Sequence, residues 1–383
     1  MSACGQTICL HPPVKRSLSV MDVIERFIEL YWARYGDSIT VEQRKALQAI
    51  LLCRTAAMGG HRYACSCGQS HHAFHSCNHR LCPQCGAADT AQWVRKQMGK
   101  LLPVPYFMVT FTLPEQLRAV MLGNRLAMEL FFKCSSQALR ELLADPKRTG
   151  FERNGFFGVF QSWTQEMHYH PHIHYIVPGV GLTENDRLKH LKRPDFLIYA
   201  QALATRLRTL FVNELFDHGL INRSLFWQLL KMDWNASVDP AGSGENAVKY
   251  LGQYVQHSVI SDNRVLAIEG DQVRIRIKNR DTNEYEQRTV SGVEFIRRFL
   301  LHALPSRFHR IRYRGFLHAR GKPKLQWLQL LLDARIPKPE EPSAPMHGGY
   351  LCPRCGNTMQ RTKRHARAPP QERNERFFNA VAA

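Results

Sequence analysis

The string His168-Tyr-His170-Pro-His172-Ile-His174-Tyr-Ile-Val sets imidazoles at alternate positions. In an extended strand alternate residues share a face, so His172 and His174 project together, and His170 joins them if extension persists through Pro171. Two or three imidazoles on one sheet face make a metal site with open positions, which a catalytic ion needs for water or a substrate oxygen. Nitrogen ligands alone favour zinc, manganese or cobalt over magnesium. The plainer alternative is a polar strand whose histidines are satisfied by hydrogen bonds, and His168 at its edge fits that description better than a ligand's.

A second kind of metal chemistry lies upstream. Cys65-Ser-Cys67-Gly, Cys77-Asn-His79 and Cys82-Pro-Gln-Cys85-Gly bring five thiols into one short stretch of a chain with 11 cysteines. A Cys-Pro-x-Cys-Gly turn aims two thiolates at one ion, and four such ligands close a tetrahedral structural zinc site. Cys65, Cys67, Cys82 and Cys85 are the expected four. Cys77, His79, His61 and Cys53 are alternates or parts of a second site. Cys352-Pro-Arg-Cys355-Gly repeats the turn near the chain's end with no second cysteine pair beside it, leaving His347 or His365 to complete a site.

Tyr250-Leu-Gly-Gln-Tyr254 places two phenols at i and i+4 of a predicted helix, on one face, with Lys249 and His257 nearby. Alone, such a pair is far more often core packing than chemistry.

These residues need elements to hold them. Apolar positions at threes and fours predict a helix from Ser19 to Tyr35, and Thr40 with Gln43 forms a capping box before a second. Tyr106–Thr112, Phe156–Gln161 and His172–Val177 read as strands. A long helical pattern runs from Glu115 to about Leu143, another from Pro194 to about Leu230, and a third helix from Glu245 to His257 carries the tyrosines. Arg264–Ile268, Val273–Lys278 and Tyr285–Val290 suggest a β meander. Mixed rather than alternating helices and strands favour an α+β fold. The length of 383 residues predicts several domains, expected at 1–100, 101–320 and 321–383.

A net charge of +20 points to a polyanionic partner, nucleic acid first. From Arg307 to Ala383, 16 basic against 5 acidic residues contribute +11 of it, and Pro337, Pro339, Pro342 and Pro345 mark a linker into a basic tail. No apolar run is long enough for a membrane helix, no signal-peptide pattern opens the chain, and no phosphate-binding G-x-x-x-x-G-K-[ST] loop signals an ATP motor. The chain reads as soluble and unexported.

A His-hydrophobe-His strand followed by a helix bearing Tyr-x-x-x-Tyr resembles the HUH endonucleases, and the whole chain is similar to rolling-circle transposases of the insertion-sequence-91 family. The similarity spans residues 20 to 320. It rests on Ser76-Cys77 to Arg80 with Cys82-Pro-Gln-Cys85, Pro105-Tyr106-Phe107 to Thr112-Leu113-Pro114, His170-Pro-His-Ile-His174, the tyrosine helix, and Glu294-Phe-Ile-Arg-Arg298 to Tyr313-Arg-Gly-Phe316. The first knuckle departs from the family pattern, being Cys-x-Cys rather than two thiols with two residues between them.

The resemblance implies a helical zinc-binding domain that recognises DNA, then an HUH-type catalytic domain with a central antiparallel sheet flanked by helices, then the basic tail. It implies structural zinc, and magnesium or manganese at His170, His172 and His174. Tyr250 and Tyr254 would be the nucleophiles, leaving a 5′-phosphotyrosine and a 3′-hydroxyl without ATP. Single-stranded and transposon-end DNA are the expected partners, contacted by Arg80, Lys249, Arg297, Arg298, Arg312 and Arg314, and the bacterial cytoplasm, at the nucleoid, is the location that the resemblance implies. The rival expectations are a rolling-circle replication initiator, a non-catalytic zinc-dependent DNA-binding regulator, and a metallohydrolase on small substrates.

Overall fold

A computed structural model describes residues 18–85, 87–255, 259–279, 282, 284–334 and 350–382. The chain opens with α1 (Val20–Tyr35) and α2 (Val41–Leu52), each begun by a capping box, Ser19 with Asp22 and Thr40 with Gln43. These boxes satisfy backbone N–H groups that the first helical turn leaves unpaired. A hairpin follows, β1 (Gly60–Ala64) and β2 (Ser70–Phe74), then α3 (Ala87–Met98).

The central part runs β3 (Tyr106–Thr112), α4 (Arg118–Met121), α5 (Arg125–Ala144), β4 (Gly155–Trp163), β5 (Tyr169–Pro178), β6 (Val180–Leu182), β7 (Leu188–His190), α6 (Ala200–Asp217), α7 (Arg223–Lys231), β8 (Asn235–Pro240) and α8 (Glu245–Val255). The helical pattern expected from Glu115 to Leu143 is interrupted. Gly123 takes a φ of +67°, and the side chain of Asn124 accepts from Ala127 N to cap a fresh helix. Asn222 splits the pattern from Pro194 to Leu230 in the same way, accepting from Leu225 N.

The last part comprises β9 (Val265–Glu269), β10 (Gln272–Lys278), β11 (Tyr285–Ser291), α9 (Gly292–Leu300), β12 (Ile311–Gly315), α10 (Lys322–Leu331), β13 (Gln360–His365) and α11 (Pro370–Ala382). The expected proline linker and His347 lie outside the described residues.

The fold is α+β, built on a five-stranded antiparallel sheet in the order β12-β4-β5-β3-β8. The histidine strand β5 is its middle strand. One sheet face, with Phe111, Phe156, Ile173 and Tyr175, is covered by apolar side chains of α5 and α6. The other, with Tyr106, Val159 and Ile176, is covered by Val248 and Leu251 of α8, Leu325 and Leu328 of α10, and Trp93 of α3.

Packing crosses the expected divisions at residues 100 and 320. Ile24, Phe27 and Leu47 of the first two helices share a core with Val273 and Ile275 of the β9–β11 meander, Phe295 and Phe299 of α9, and Phe377 of α11. The basic C-terminal segment is likewise no free tail. β13 pairs antiparallel with β1, and α11 seats Phe377 edge-on against Trp32, with ring centroids 5.3 Å apart. Gln48 Nε2 donates to Asn374 Oδ1 at 2.6 Å beside that contact.

Candidate active site and zinc centre

Register decides what faces the histidines. On β5, Ile173 and Tyr175 enter one core while His172 and His174 face the side covered by α8. Both are buried, at 3% and 7% exposure, with ring centroids 4.8 Å apart. His172 Nδ1 lies 2.6 Å from the carbonyl oxygen of His170, which fixes the proton on Nδ1 and directs the Nε2 lone pair outward. His174 Nδ1 lies 2.9 Å from Thr110 Oγ1 on β3. Anchoring one ring nitrogen so that the other can coordinate is the arrangement metal-ligating histidines adopt, so the pair fits a divalent ion.

His170 does not complete a compact trio. Its ring centroid is 5.5 Å from that of His172, and among the described residues the groups of three or more ligands within 4.8 Å of one another all consist of cysteines. The reason is the strand's rise: positions i and i+4 stand about 13 Å apart, too far for one ion between them. A polar side chain also faces the pair from across the sheet. Gln161 of β4 pairs directly with His172, is 5% exposed, and its Oε1 is buried without a hydrogen-bond partner while Nε2 donates to Trp163 O. The signal in the sequence was one amide within the apolar run Phe156–Trp163.

Helix α8 brings a phenol to this pair. Tyr250 is 38% exposed, and its ring centroid lies 6.1 Å from that of His174, nearly perpendicular to it. Buried Ala247, Val248 and Leu251 fix the helix's orientation. Gly252 permits its close approach to α3, since a Cβ there would stand 2.4 Å from Val94 Cγ2. Tyr254 lies one turn further along α8, with its side chain outside the described residues, as is His257.

The turn that feeds the histidine strand is pinned from the meander side. Arg264 donates to Gln165 O, Arg298 Nη1 donates to Glu166 O at 3.2 Å, and His302 Nε2 lies 3.1 Å from Met167 O. His302 Nδ1 is 3.0 Å from Ser162 Oγ, and complete burial pulls its pKa down to about 3, so it stays a neutral clamp.

The cysteines gather differently from expectation. Cys82 and Cys85 meet Cys53 and Cys77, whereas Cys65 and Cys67 meet Cys352 and Cys355. The expected set of Cys65, Cys67, Cys82 and Cys85 is thus divided, because the β1–β2 hairpin carries its tip away from the Cys82–Cys85 turn. In the first group Cys77 Sγ and Cys85 Sγ are 3.7 Å apart, near the ~3.8 Å edge of a tetrahedron with 2.3 Å zinc–sulfur bonds. Cys77 N and His79 N donate to Cys53 Sγ and Cys77 Sγ, as they would to thiolates. Hydrogen bonding from Cys77 and Cys82 holds the Cys53 thiol down to about 2, while Cys77 is pushed up to about 12 and Cys82 is raised further. Four sulfurs in mutual contact cannot all shed protons without a cation among them. His79 is outside the group, and burial lowers its pKa to about 4. His61 packs against His75 on the β1–β2 hairpin.

Residues 155–324, which hold the histidine strand and the tyrosine helix, match the family described as "Putative transposase"; residues 23–113 match the "Transposase zinc-binding domain". The chain is 39% identical over 348 residues to the putative transposase y4qJ of Sinorhizobium fredii, covering 85% of this chain and 87% of that protein. This chain is a transposase of the insertion-sequence-91 family. It is also 29% identical over 341 residues, 81% of each chain, to the transposase for insertion sequence element IS801 of Pseudomonas savastanoi pv. phaseolicola. No solved structure matches it.

A transposase binds DNA, and structural zinc accords with the matched domain and the gathered cysteines. No helix among the described residues is long and apolar enough to cross a membrane. The basic residues expected at DNA are differently disposed. Lys249 is exposed beside Tyr250, 3.9 Å from Glu245. Arg312 and Arg314 emerge on the opposite sheet face from the histidines, where they line a shallow cavity with Lys133 and Arg140. Arg312 is paired there with Glu129 at 2.5 Å and stacks over Phe132. Arg80 donates to Phe308 O and Pro305 O, and Arg297 and Arg298 share Glu294. These contacts tie Arg80, Arg297 and Arg298 to the scaffold.

Proposed function

We propose that this transposase nicks and rejoins single-stranded DNA at transposon ends, with Tyr250 and Tyr254 as nucleophiles acting in turn. The observation that carries the reading is a solvent-accessible phenol on a fixed helix, 6.1 Å ring to ring from one of two buried, pre-oriented histidines. His172 and His174, with Gln161 as third donor, would hold a divalent ion. An oxygen donor beside two imidazoles makes magnesium or manganese better suited than nitrogens alone would. When bound, that ion supplies a Lewis acid for a non-bridging oxygen of the scissile phosphate.

The chain's own residues do the rest. Tyr250 loses its proton to solvent or a nearby base, because a phenol is a poor nucleophile until it does so. Its oxygen bonds to phosphorus as the bond from phosphorus to the 3′-oxygen breaks, leaving a 5′-phosphotyrosine and, after protonation, a free 3′-hydroxyl. The ester retains the energy of the phosphodiester, so a 3′-hydroxyl can later displace the tyrosine without ATP. The second tyrosine, one turn along, permits a second cleavage within the same protomer. Lys249, exposed beside Tyr250, would meet the DNA backbone. We assign the structural zinc to Cys53, Cys77, Cys82 and Cys85.

The test is nicking of a single-stranded transposon-end oligonucleotide with added manganese or magnesium. Metal-dependent cleavage that leaves protein on the 5′ end supports the reading; binding without cleavage under any divalent ion refutes it.

A further inference from the structure

The second cysteine group joins the β1–β2 hairpin to the C-terminal segment. Cys65 and Cys67 sit at the β1–β2 tip, where Cys65 N donates to Gln69 O at 2.8 Å and Gly68 N to Cys65 O at 3.0 Å. Cys352 and Cys355 sit in a second tight turn, closed by Gly356 N donating to Cys352 O and Cys352 N to Asn357 O, each at 2.8 Å. The two turns face each other. Cys65 Sγ lies 3.4 Å from Cys355 Sγ, and Cys67 Sγ lies 3.6 Å from Cys352 Sγ, with all four sulfurs within 4.8 Å of one another. These separations are far from the ~2.05 Å of a disulfide and close to the ~3.8 Å edge of a zinc–thiolate tetrahedron. Cys65 and Cys352 are buried against Met359 and Tyr63, while Cys67 and Cys355 reach solvent, which leaves a path for an ion to enter.

We propose that Cys65, Cys67, Cys352 and Cys355 hold a second zinc ion, separate from that at Cys53, Cys77, Cys82 and Cys85, which clamps the C-terminal segment onto the N-terminal hairpin. Cys352 and Cys355 fall outside residues 23–113, the extent of the matched zinc-binding domain. The strand anchored by this ion is β13, which completes the three-stranded sheet β13-β1-β2. Its register sets Lys363 beside Arg62 and Arg364 beside His61. Those neighbours are cationic or titratable, and little in the strand is apolar. An exposed pairing of like charges needs an anchor beyond its own side chains, and a tetrathiolate ion at its head supplies one.

Metal analysis of full-length protein purified in reductant tests this. Wild type should carry two zinc ions per chain. Cys67→Ser, Cys355→Ser and the Cys352→Ser/Cys355→Ser double variant should each carry one, and removing all four cysteines should cost no more than that one ion. Cys355→His, which keeps a zinc ligand, should retain two. Hydrogen exchange at residues 350–365 should rise at least tenfold in Cys355→Ser and stay slow in Cys355→His, a comparison that needs no measurement on a misfolded variant. One zinc in wild type, two in the Cys352→Ser/Cys355→Ser variant, or unchanged exchange in Cys355→Ser would each overturn the proposal. None of these readouts depends on the cleavage chemistry.

Discussion

Single residues divide into groups that would meet DNA and groups that hold them in place. His172→Ala or His174→Ala should lower nicking by at least about 10²-fold, the scale of losing a preorganised electrostatic group, with single-strand binding little changed. A gel assay reading both quantities on the same preparations checks this, and near-normal nicking in both variants would place the metal elsewhere. Gln161→Leu fills a similar volume and removes only the amide, so its effect should appear as a weaker apparent affinity for the activating ion. An unaltered manganese dependence would remove Gln161 from the site. The histidine pair was legible in the sequence because strand periodicity is strict. Gln161 was not, because which residue stands opposite His172 is set by the register between β4 and β5, and no local pattern states that register.

Among elements, the turn before β5 shows how the scaffold positions chemistry. His302 is buried and neutral, with a pKa near 3. Unfolding returns it to about 6.5, so the unfolded chain binds the extra proton between those values. Its contribution is therefore complete above about pH 6.5 and falls by roughly 1.4 kcal/mol per pH unit as pH drops toward 3. Stability measured by denaturant from pH 7 to 5 should show this slope, and His302→Asn should flatten it; an equal slope in both proteins would contradict the assignment. For the zinc turn, Cys82→Ser should release one ion and expose the core that Leu81 and Cys82 share with α1 and α2. Zinc content and thermal melting check it, with full retention of metal as the contrary outcome.

The elements themselves were unevenly legible. Tyr106–Thr112 reads as a strand because it is apolar and β-branched between prolines, and the meander reads through its turns. β8, with the sequence Asn-Ala-Ser-Val-Asp-Pro, carries no such signal; it is a strand because the edge of β3 is there to pair with it. Cys355 lies 290 positions from Cys65 and Cys352 lies 285 from Cys67, separations that spacing rules cannot cross.

For the whole molecule, the charge of +20 is spread between surfaces that the fold separates. Arg361, Lys363 and Arg364 are exposed on a paired strand, and Lys249 stands beside the phenol. Binding to single-stranded DNA should weaken linearly with log salt, with a slope of about 0.7 per phosphate neutralised. Neutralising Arg361, Lys363 and Arg364 together should flatten that slope while sparing cleavage at low salt; an unchanged slope would put the DNA elsewhere on the surface. The phenols of α8 are the heart of the proposed mechanism. Its most direct test is to incubate the full-length transposase with a labelled single-stranded transposon end and manganese, digest the trapped covalent adduct, and locate the nucleotide by mass spectrometry. Attachment should map to Tyr250 or Tyr254, with no adduct from the Tyr250→Phe/Tyr254→Phe variant despite normal DNA binding. An adduct mapped to any residue outside this helix, or one that persists in the double variant, would contradict it.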